Sequence, residues 1–426
     1  MGLDSINFAT NNISRNQNIE SSQSPKKDNT GDLTHFSEND IDQMMIGKYH
    51  SELLKERTGH HLLLTAHRGM GPTSVFGQTF PKDYLPENSL QSIKHAILQG
   101  ADAIEIDIFK SADGIIVVTH DDEIWRNEFG ADKKGGNLPA GETKNSYLVG
   151  KRTVDELKNI SIGPNGETMP TLSEVLEMVG NANEVLAKNN KTQVVLNIEL
   201  KDASAIAETI DLLSETFSQN SGVCLNNIVF CSFHHQALIS LKDAAEERGL
   251  NDIRIAPGIK TSDLFGKENV NADFSLKPNA EYQANNIQQL KQLVEGNGFT
   301  GYDGILWDIR NPLIELALAN NKEIHASTSD FRQYGENRDF ANTLLEISKR
   351  VDTFFKCDNI DDARKVLLES SILMSGIGIQ MMHKNLESGE DSFYFYQPRD
   401  QQDNSHLLRE GIKKPPSFST WLAINS

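Results

Sequence analysis

The sequence predicts an α/β chain built on a (β/α)8, or TIM, barrel, with a β-hairpin and an insertion after the second strand and extensions at both ends. Three observations predict it. From residue 62 onward short apolar runs alternate with helical patterns, as in β/α units around a parallel sheet. Setting aside one hairpin run, the apolar runs number eight, the count of a barrel. Charged residues gather just after several of these runs, at the strand ends where such barrels carry their sites.

Residues 1–34 are rich in Asn, Ser, Gln and Lys and poor in large apolar side chains, a composition that does not offset the entropy of ordering, so a disordered arm is expected. A helical extension follows over 35–61. Ser37 is its capping candidate, and Ile41, Met44, Met45, Tyr49 and Leu53 recur at helical spacing, which places the helix against the lower end of the barrel. The barrel itself is expected over 62–375, with strands at 62–66, 103–108, 194–200, 228–232, 253–257, 304–308, 323–327 and 352–357.

The run 115–119 would make a ninth strand. Only six residues separate Ile108 from Ile115, too few for a parallel crossover, and Asp113-Gly114 is a turn pair. The run therefore folds back antiparallel on the second strand, which carries His120 towards Glu105 and Asp107. An irregular insertion follows, to about residue 169, before a helix that starts near Thr171. From about 376 to 426 the β/α rhythm stops, and the aromatic run 393–396 marks a C-terminal extension that docks in part.

Acidic residues outnumber basic ones, 60 to 41, for a net charge of −19, which argues against nucleic acid or an anionic membrane surface as the main partner. Cys224, Cys231 and Cys357 lie in or near apolar runs without metal-ligand spacing and read as buried thiols in a reducing compartment. The N-terminus has neither a basic n-region nor an apolar h-region, and no apolar run reaches about 18 residues. A soluble, cytoplasmic protein without stable membrane insertion is expected, export by a route lacking a classical signal being left open.

The polar clusters are Ala66-His67-Arg68-Gly69, Ile104-Glu105-Ile106-Asp107, His120-Asp121 and Ile198-Glu199-Leu200-Lys201. Alternation along a strand puts Glu105 and Asp107 on one face, and likewise Glu199 and Lys201. If those faces point inward, three carboxylates meet at the mouth, where unpaired charge is costly. A hard cation with oxygen ligands, Mg2+ or Ca2+, suits them; zinc is disfavoured by the lack of committed His or Cys ligands.

The run HRG, PENS at Pro86 to Ser89, GADAIEID at Gly100 to Asp107 and DGIIVVTHDD at Asp113 to Asp122 resembles the glycerophosphodiester phosphodiesterase family. PTL at Pro170, NIELK at Asn197 and CSF at Cys231 keep that family's order over roughly 62–370. The resemblance implies a barrel with a small insertion that hydrolyses a small-molecule glycerophosphodiester to glycerol 3-phosphate and an alcohol. It implies Glu105, Asp107 and Glu199 as ligands of the divalent metal, His67 and His120 as general acid and base in unassigned order, Arg68 and Lys201 as phosphate contacts, and Glu87 as a support for Arg68 and His67.

The chain departs from the pattern in a longer loop between His67 and PENS and in His325-Ala326-Ser327-Thr328-Ser329, where the family often has an aromatic followed by Thr-Val-Asn. Trp307 is a candidate substitute for that wall, weighed equally against core packing. Lys356 reads as a strand-end lysine facing solvent, with a reach to the mouth as the other option. His234 and His235 read as loop residues near the mouth, and His325 as core or support. Two other readings stand beside hydrolysis of small diesters: a phospholipase or sphingomyelinase D-like activity on the same barrel, and a non-catalytic binding module.

Overall fold

A computed structural model of the chain describes residues 33–59, 61–71, 85–124, 148–219, 221–271, 277, 281–305, 312–327, 341, 344–345, 347–374, 379–384 and 391–396. Residues 1–32 of the disordered arm expected over 1–34, residues 72–84 of the long loop, the middle of the insertion and Trp307 lie outside them.

The strands of the main sheet are β1 (Leu62–Ala66), β2 (Ala103–Lys110), β3 (Ile116–Val118), β4 (Val195–Leu200), β5 (Ile228–Cys231), β6 (Arg254–Ile255), β7 (Gly258–Ile259), β8 (Gly301–Ile305), β9 (Glu323–Ser327) and β10 (Thr353–Cys357). Their order is β6-β5-β4-β2-β1-β10-β9-β8-β7, with every neighbouring pair parallel. The two ends of this path are one strand. Only Ala256 and Pro257 separate β6 from β7, and the stretch bonds to both sides: Ala256 N and Gly258 N donate to Phe230 O and Ser232 O, while Thr300 N and Asp303 N donate to Ile255 O and Pro257 O. The sheet thus closes into an eight-stranded parallel barrel.

The fifth barrel strand is broken where the sequence suggested a continuous 253–257, because Pro257 has no N–H to donate and serves only as acceptor. The sixth strand begins three residues before the expected 304. β3 pairs antiparallel with β2, Ile108 opposite Val118, as the short Asp113-Gly114 connection requires. Val117 of β3 and the described parts of the insertion, Ile124, Val149, Leu157 and Met169, pack into a small cluster of their own.

Isoleucines 104, 106 and 108 on β2 are fully buried in the main core, each contributing about 1.5–3 kcal/mol by leaving water. The intervening Glu105 and Asp107 are buried as well, so β2 is covered on both faces, as parallel strands are. Helix α1 (Glu38–Thr58) starts at Ser37 in a reciprocal capping box with Asp40. Its buried face is Met44, Lys48, Ser51, Leu54 and Lys55, whereas Tyr49 is 60% exposed. The apolar count found Met44 but missed the rest of that face, because Asp102 selects it: Lys55 Nζ lies 2.6 Å and Ser51 Oγ 2.9 Å from Asp102 Oδ1. Gly47 makes the contact possible, since a Cβ there would fall 2.5 Å from Leu98 O.

Cys231 and Cys357 are buried thiols, but Cys224 is exposed. Its thiol bonds Asn227 Oδ1 in the single turn ahead of β5, and the neighbouring Val223 takes the buried position instead. Beyond the helix Ile360–Met374, the strands Ile379–Lys384 and Asp391–Tyr396 pair antiparallel in a sheet of their own. Among the described residues no helix is long and apolar enough to cross a membrane.

Candidate active site

The parallel register fixes which side chains meet. Glu105 stands opposite Asn197 and Asp107 opposite Glu199, so period-two alternation sends Glu105, Asp107 and Glu199 to the same interior face. One carboxylate oxygen of each lies within 4.8 Å of the others. A hard cation with metal–oxygen bonds of about 2.0–2.6 Å spans such a spacing. The donor set fits as well: Asp107 is fully buried, and its Oδ1 accepts no hydrogen bond although Lys201 Nζ stands 3.1 Å away. Buried acceptor capacity is left unspent there, which is costly without a cation.

Arg68 closes the opposite side. Its guanidinium lies 3.2 Å from Glu87 Oε1 and 3.5 Å from Asp107 Oδ2, and its own N–H donates to Glu105 Oε2 at 2.8 Å. That backbone bond needs a left-handed turn, φ 52°, which Asn88 repeats at φ 58° while donating its N–H to Arg68 O. Gly69 allows the crossing of these segments, because a Cβ there would meet Ser92 Oγ at 2.4 Å. Asn88 Nδ2 donates to Asp107 Oδ2 at 2.9 Å, so the PENS motif reaches Asp107 as well as Arg68, the partner expected for Glu87.

Each histidine is oriented by a carboxylate. His67 Nδ1 is 2.7 Å from Asp358 Oδ1, and His120 Nδ1 is 2.6 Å from Asp121 Oδ1. An Nδ1–H held in this way leaves Nε2 for chemistry. Asp121 is adjacent in sequence and visible there; Asp358 is 291 residues from His67 and arrives only because β10 neighbours β1.

Burial and the charge of Arg68 work against a charged His67, but the hydrogen bond it donates to Asp358, with the charge of Glu105, holds its imidazole above the usual value of 6.5. Burial dominates at His120 and, with Arg68 and Lys201 nearby, pushes it down to about 4. Burial would raise Asp107 also, yet Lys201, Arg68 and His120 hold it well below the usual carboxylate range. Glu199 goes the other way, raised by burial and by the charge of Asp107. Lys201, opposed by burial but 2.5 Å from Glu199 and 3.1 Å from Asp107, stays firmly charged.

Lys356 does not face solvent, contrary to the sequence expectation. It is buried, 2.5 Å from Asp303 Oδ2 and 3.9 Å from Cys231 Sγ, because the interior partner Asp303 on β8 compensates its charge. His325 is core: it stacks on Phe354 with centroids 4.4 Å apart and bonds Glu323 and Asn197. His235 opens the helix His235–Glu247 with Nε2 2.7 Å from Gly258 O.

Residues 67–348, well over half of the chain, match the model of the glycerophosphoryl diester phosphodiesterase family. A glycerophosphodiester phosphodiesterase of Caldanaerobacter subterraneus subsp. tengcongensis is 29% identical over 169 residues, which cover 38% of this chain and 58% of that protein. One of Bacillus altitudinis is 29% identical over 176 residues, covering 39% and 60%. The aligned part thus spans less than two thirds of these relatives' own length. The crystal structure of an Oleispira antarctica phosphodiesterase in complex with sn-glycerol 3-phosphate superimposes with a TM-score of 0.46 at 23% identity, over 72% of this chain and 96% of that one.

Proposed function

The chain belongs to the glycerophosphoryl diester phosphodiesterase family, a family of enzymes, and on that premise we propose that it hydrolyses a small glycerophosphodiester to glycerol 3-phosphate and an alcohol with a divalent cation, Mg2+ or Ca2+. One observation carries the reading: an acidic trio within 4.8 Å shares the barrel mouth with Arg68 and Lys201, next to strand ends that bear two carboxylate-oriented imidazoles.

In this reading Glu105, Asp107 and Glu199 hold the cation, which when bound supplies Lewis-acid polarisation of the phosphoryl oxygens. Arg68 and Lys201 bind the non-bridging oxygens, and Glu87 and Asn88 keep Arg68 and Asp107 in place. His120, neutral at pH 7, takes the proton of the attacking hydroxyl, whether water or the substrate's own glycerol hydroxyl. His67, whose protonated form is favoured by the hydrogen bond to Asp358, gives its proton to the leaving alkoxide as the phosphorus–oxygen bond breaks. His120 becomes charged and His67 neutral; after attack by water, exchange with solvent resets both. After attack by the glycerol hydroxyl, His67 takes a proton from water as it opens the cyclic phosphate while His120 protonates the departing glycerol oxygen, which gives glycerol 3-phosphate and restores both.

The test is an assay of the full chain on glycerophosphocholine with Mg2+ or Ca2+ and with a chelator, reading glycerol 3-phosphate and choline together. Metal-dependent release of both supports the reading. Release of choline from lysophospholipid or sphingomyelin micelles alone would replace it with the lipid-directed alternative.

A further inference from the structure

Inside the barrel, next to the cross-strand neighbour of Glu199, lies an ion pair that the reaction above does not use. Lys356, on the eighth barrel strand, and Asp303, on the sixth, have side chains only 7% and 6% exposed and stand 2.5 Å apart. The second contact of Lys356, Cys231 Sγ at 3.9 Å, fixes where the ammonium sits, because Cys231 is the direct cross-strand neighbour of Glu199. The pair is therefore an oriented dipole: its anionic end is on β8 and its cationic end next to β5 and β4, on the side of the trio. Glu105 and Glu199 are both among the charges that Lys356 feels.

An isolated buried ion pair is seldom worth its desolvation for stability alone. A second reason to keep one here is the charge it stands beside. Three carboxylates packed within 4.8 Å repel one another, and Arg68 and Lys201 are in direct contact with Asp107 and Glu199 but Lys201 is not paired with Glu105. The Lys356 ammonium, beside Cys231, adds a third positive charge that acts on Glu105 and Glu199 and relieves the repulsion.

We propose that Lys356 is a positioning residue that holds the acidic trio together in the metal-free chain and, by the same charge, lowers the affinity of the site for a divalent cation. The proposal rests on the metal-binding reading of the trio. Its counterpart Asp303 keeps the ammonium turned towards β5 and screens the rest of the barrel from it. A cation entering the trio then meets one fixed positive charge already in place, and binding is weaker and exchange faster than at a bare three-carboxylate site.

The experiment is calorimetric titration of the full chain with MgCl2 and with CaCl2 at fixed pH and ionic strength, with the thermal midpoint measured with and without each ion. The variants are Lys356→Met and the double variant Lys356→Met/Asp303→Asn. Removing the ammonium alone should tighten binding of the ion by about tenfold, given the loss of one interior unit charge, and the double variant, which removes the neighbouring carboxylate as well, should tighten it by less but by more than twofold. The metal-free midpoint should fall and the midpoint gain on adding metal should grow. The double variant leaves no lone buried carboxylate, so it keeps the test informative if the single variant does not fold. Affinities equal to wild type within twofold, or weaker in both variants, would overturn the proposal and leave Lys356–Asp303 as packing. If the wild-type chain takes up neither ion, the metal reading itself fails and this one with it; binding that the variants do not change refutes only the role of Lys356.

Discussion

Two buried charge clusters occupy opposite ends of the barrel, and they differ in saturation rather than in composition. At the lower end Asp102 is surrounded: Lys55 at 2.6 Å, Lys48 at 3.9 Å, two contacts from Ser51 Oγ and the N–H of Leu64 at 3.0 Å. Despite complete burial its carboxyl lies below the usual range, because two ammonium groups and a backbone donor face it. At the mouth Arg68, Asn88 and Lys201 reach the three carboxylates, yet their oxygens are not all matched by donors. Asp107 Oδ1 accepts no hydrogen bond, and Glu199 is raised by burial and by Asp107. A cluster whose donors match its acceptors holds the fold together; one with acceptors to spare is arranged for something that arrives later.

That contrast is testable by breaking each end in turn. His120→Ala should lower turnover by about 10^2- to 10^4-fold, the usual worth of a general base, while the thermal midpoint stays close to wild type, since the side chain is 29% exposed at the mouth. A variant that fails to fold would move His120 into the structural class. Asp102→Asn should do the reverse. It leaves Lys48 and Lys55 without their anion, so denaturant unfolding should show a loss of about 3–5 kcal/mol, with kcat of the folded fraction unchanged. A catalytic defect at full stability would erase the distinction between the two ends.

Smaller changes sharpen the picture. Glu199→Gln should weaken divalent-ion binding by about 10- to 100-fold; an unchanged titration would take it out of the ligand set. Asp358→Asn should move the alkaline limb of kcat/KM. His67 must be charged to donate, so activity is present below its pKa and is lost as pH rises through it. Asp358 holds that pKa above 6.5, and its removal should shift the limb to lower pH, by about one unit for a lost charge-assisted bond. A limb that does not move would assign the acid elsewhere.

Legibility in the sequence followed distance along the chain. His67, Arg68, Glu105, Asp107, Glu199 and Lys201 could be read because each lies at the end of an apolar run and the period-two rule says which face it shares. Asn88 sat inside a motif already noted, and its αL backbone with an amide within reach of Asp107 is a signal that a closer look at PENS would have raised. Asp358, Asp303 and Lys356 could not be read in this way: their partners lie 291 and 53 residues away, and only barrel closure brings them together. The docking face of α1 was misread for a related reason. Counting apolar residues favoured Tyr49, but a buried carboxylate from another element chose Lys48, Ser51 and Lys55.

The most direct test of the mouth as a phosphodiester site is a crystal structure of the chain soaked with Ca2+ and glycerol 3-phosphate. The account predicts one ion about 2.3–2.6 Å from oxygens of Glu105, Asp107 and Glu199, with the phosphate on Arg68 and Lys201 and both Nε2 atoms facing it. An ion held elsewhere, or a phosphate that leaves the trio untouched, would contradict it.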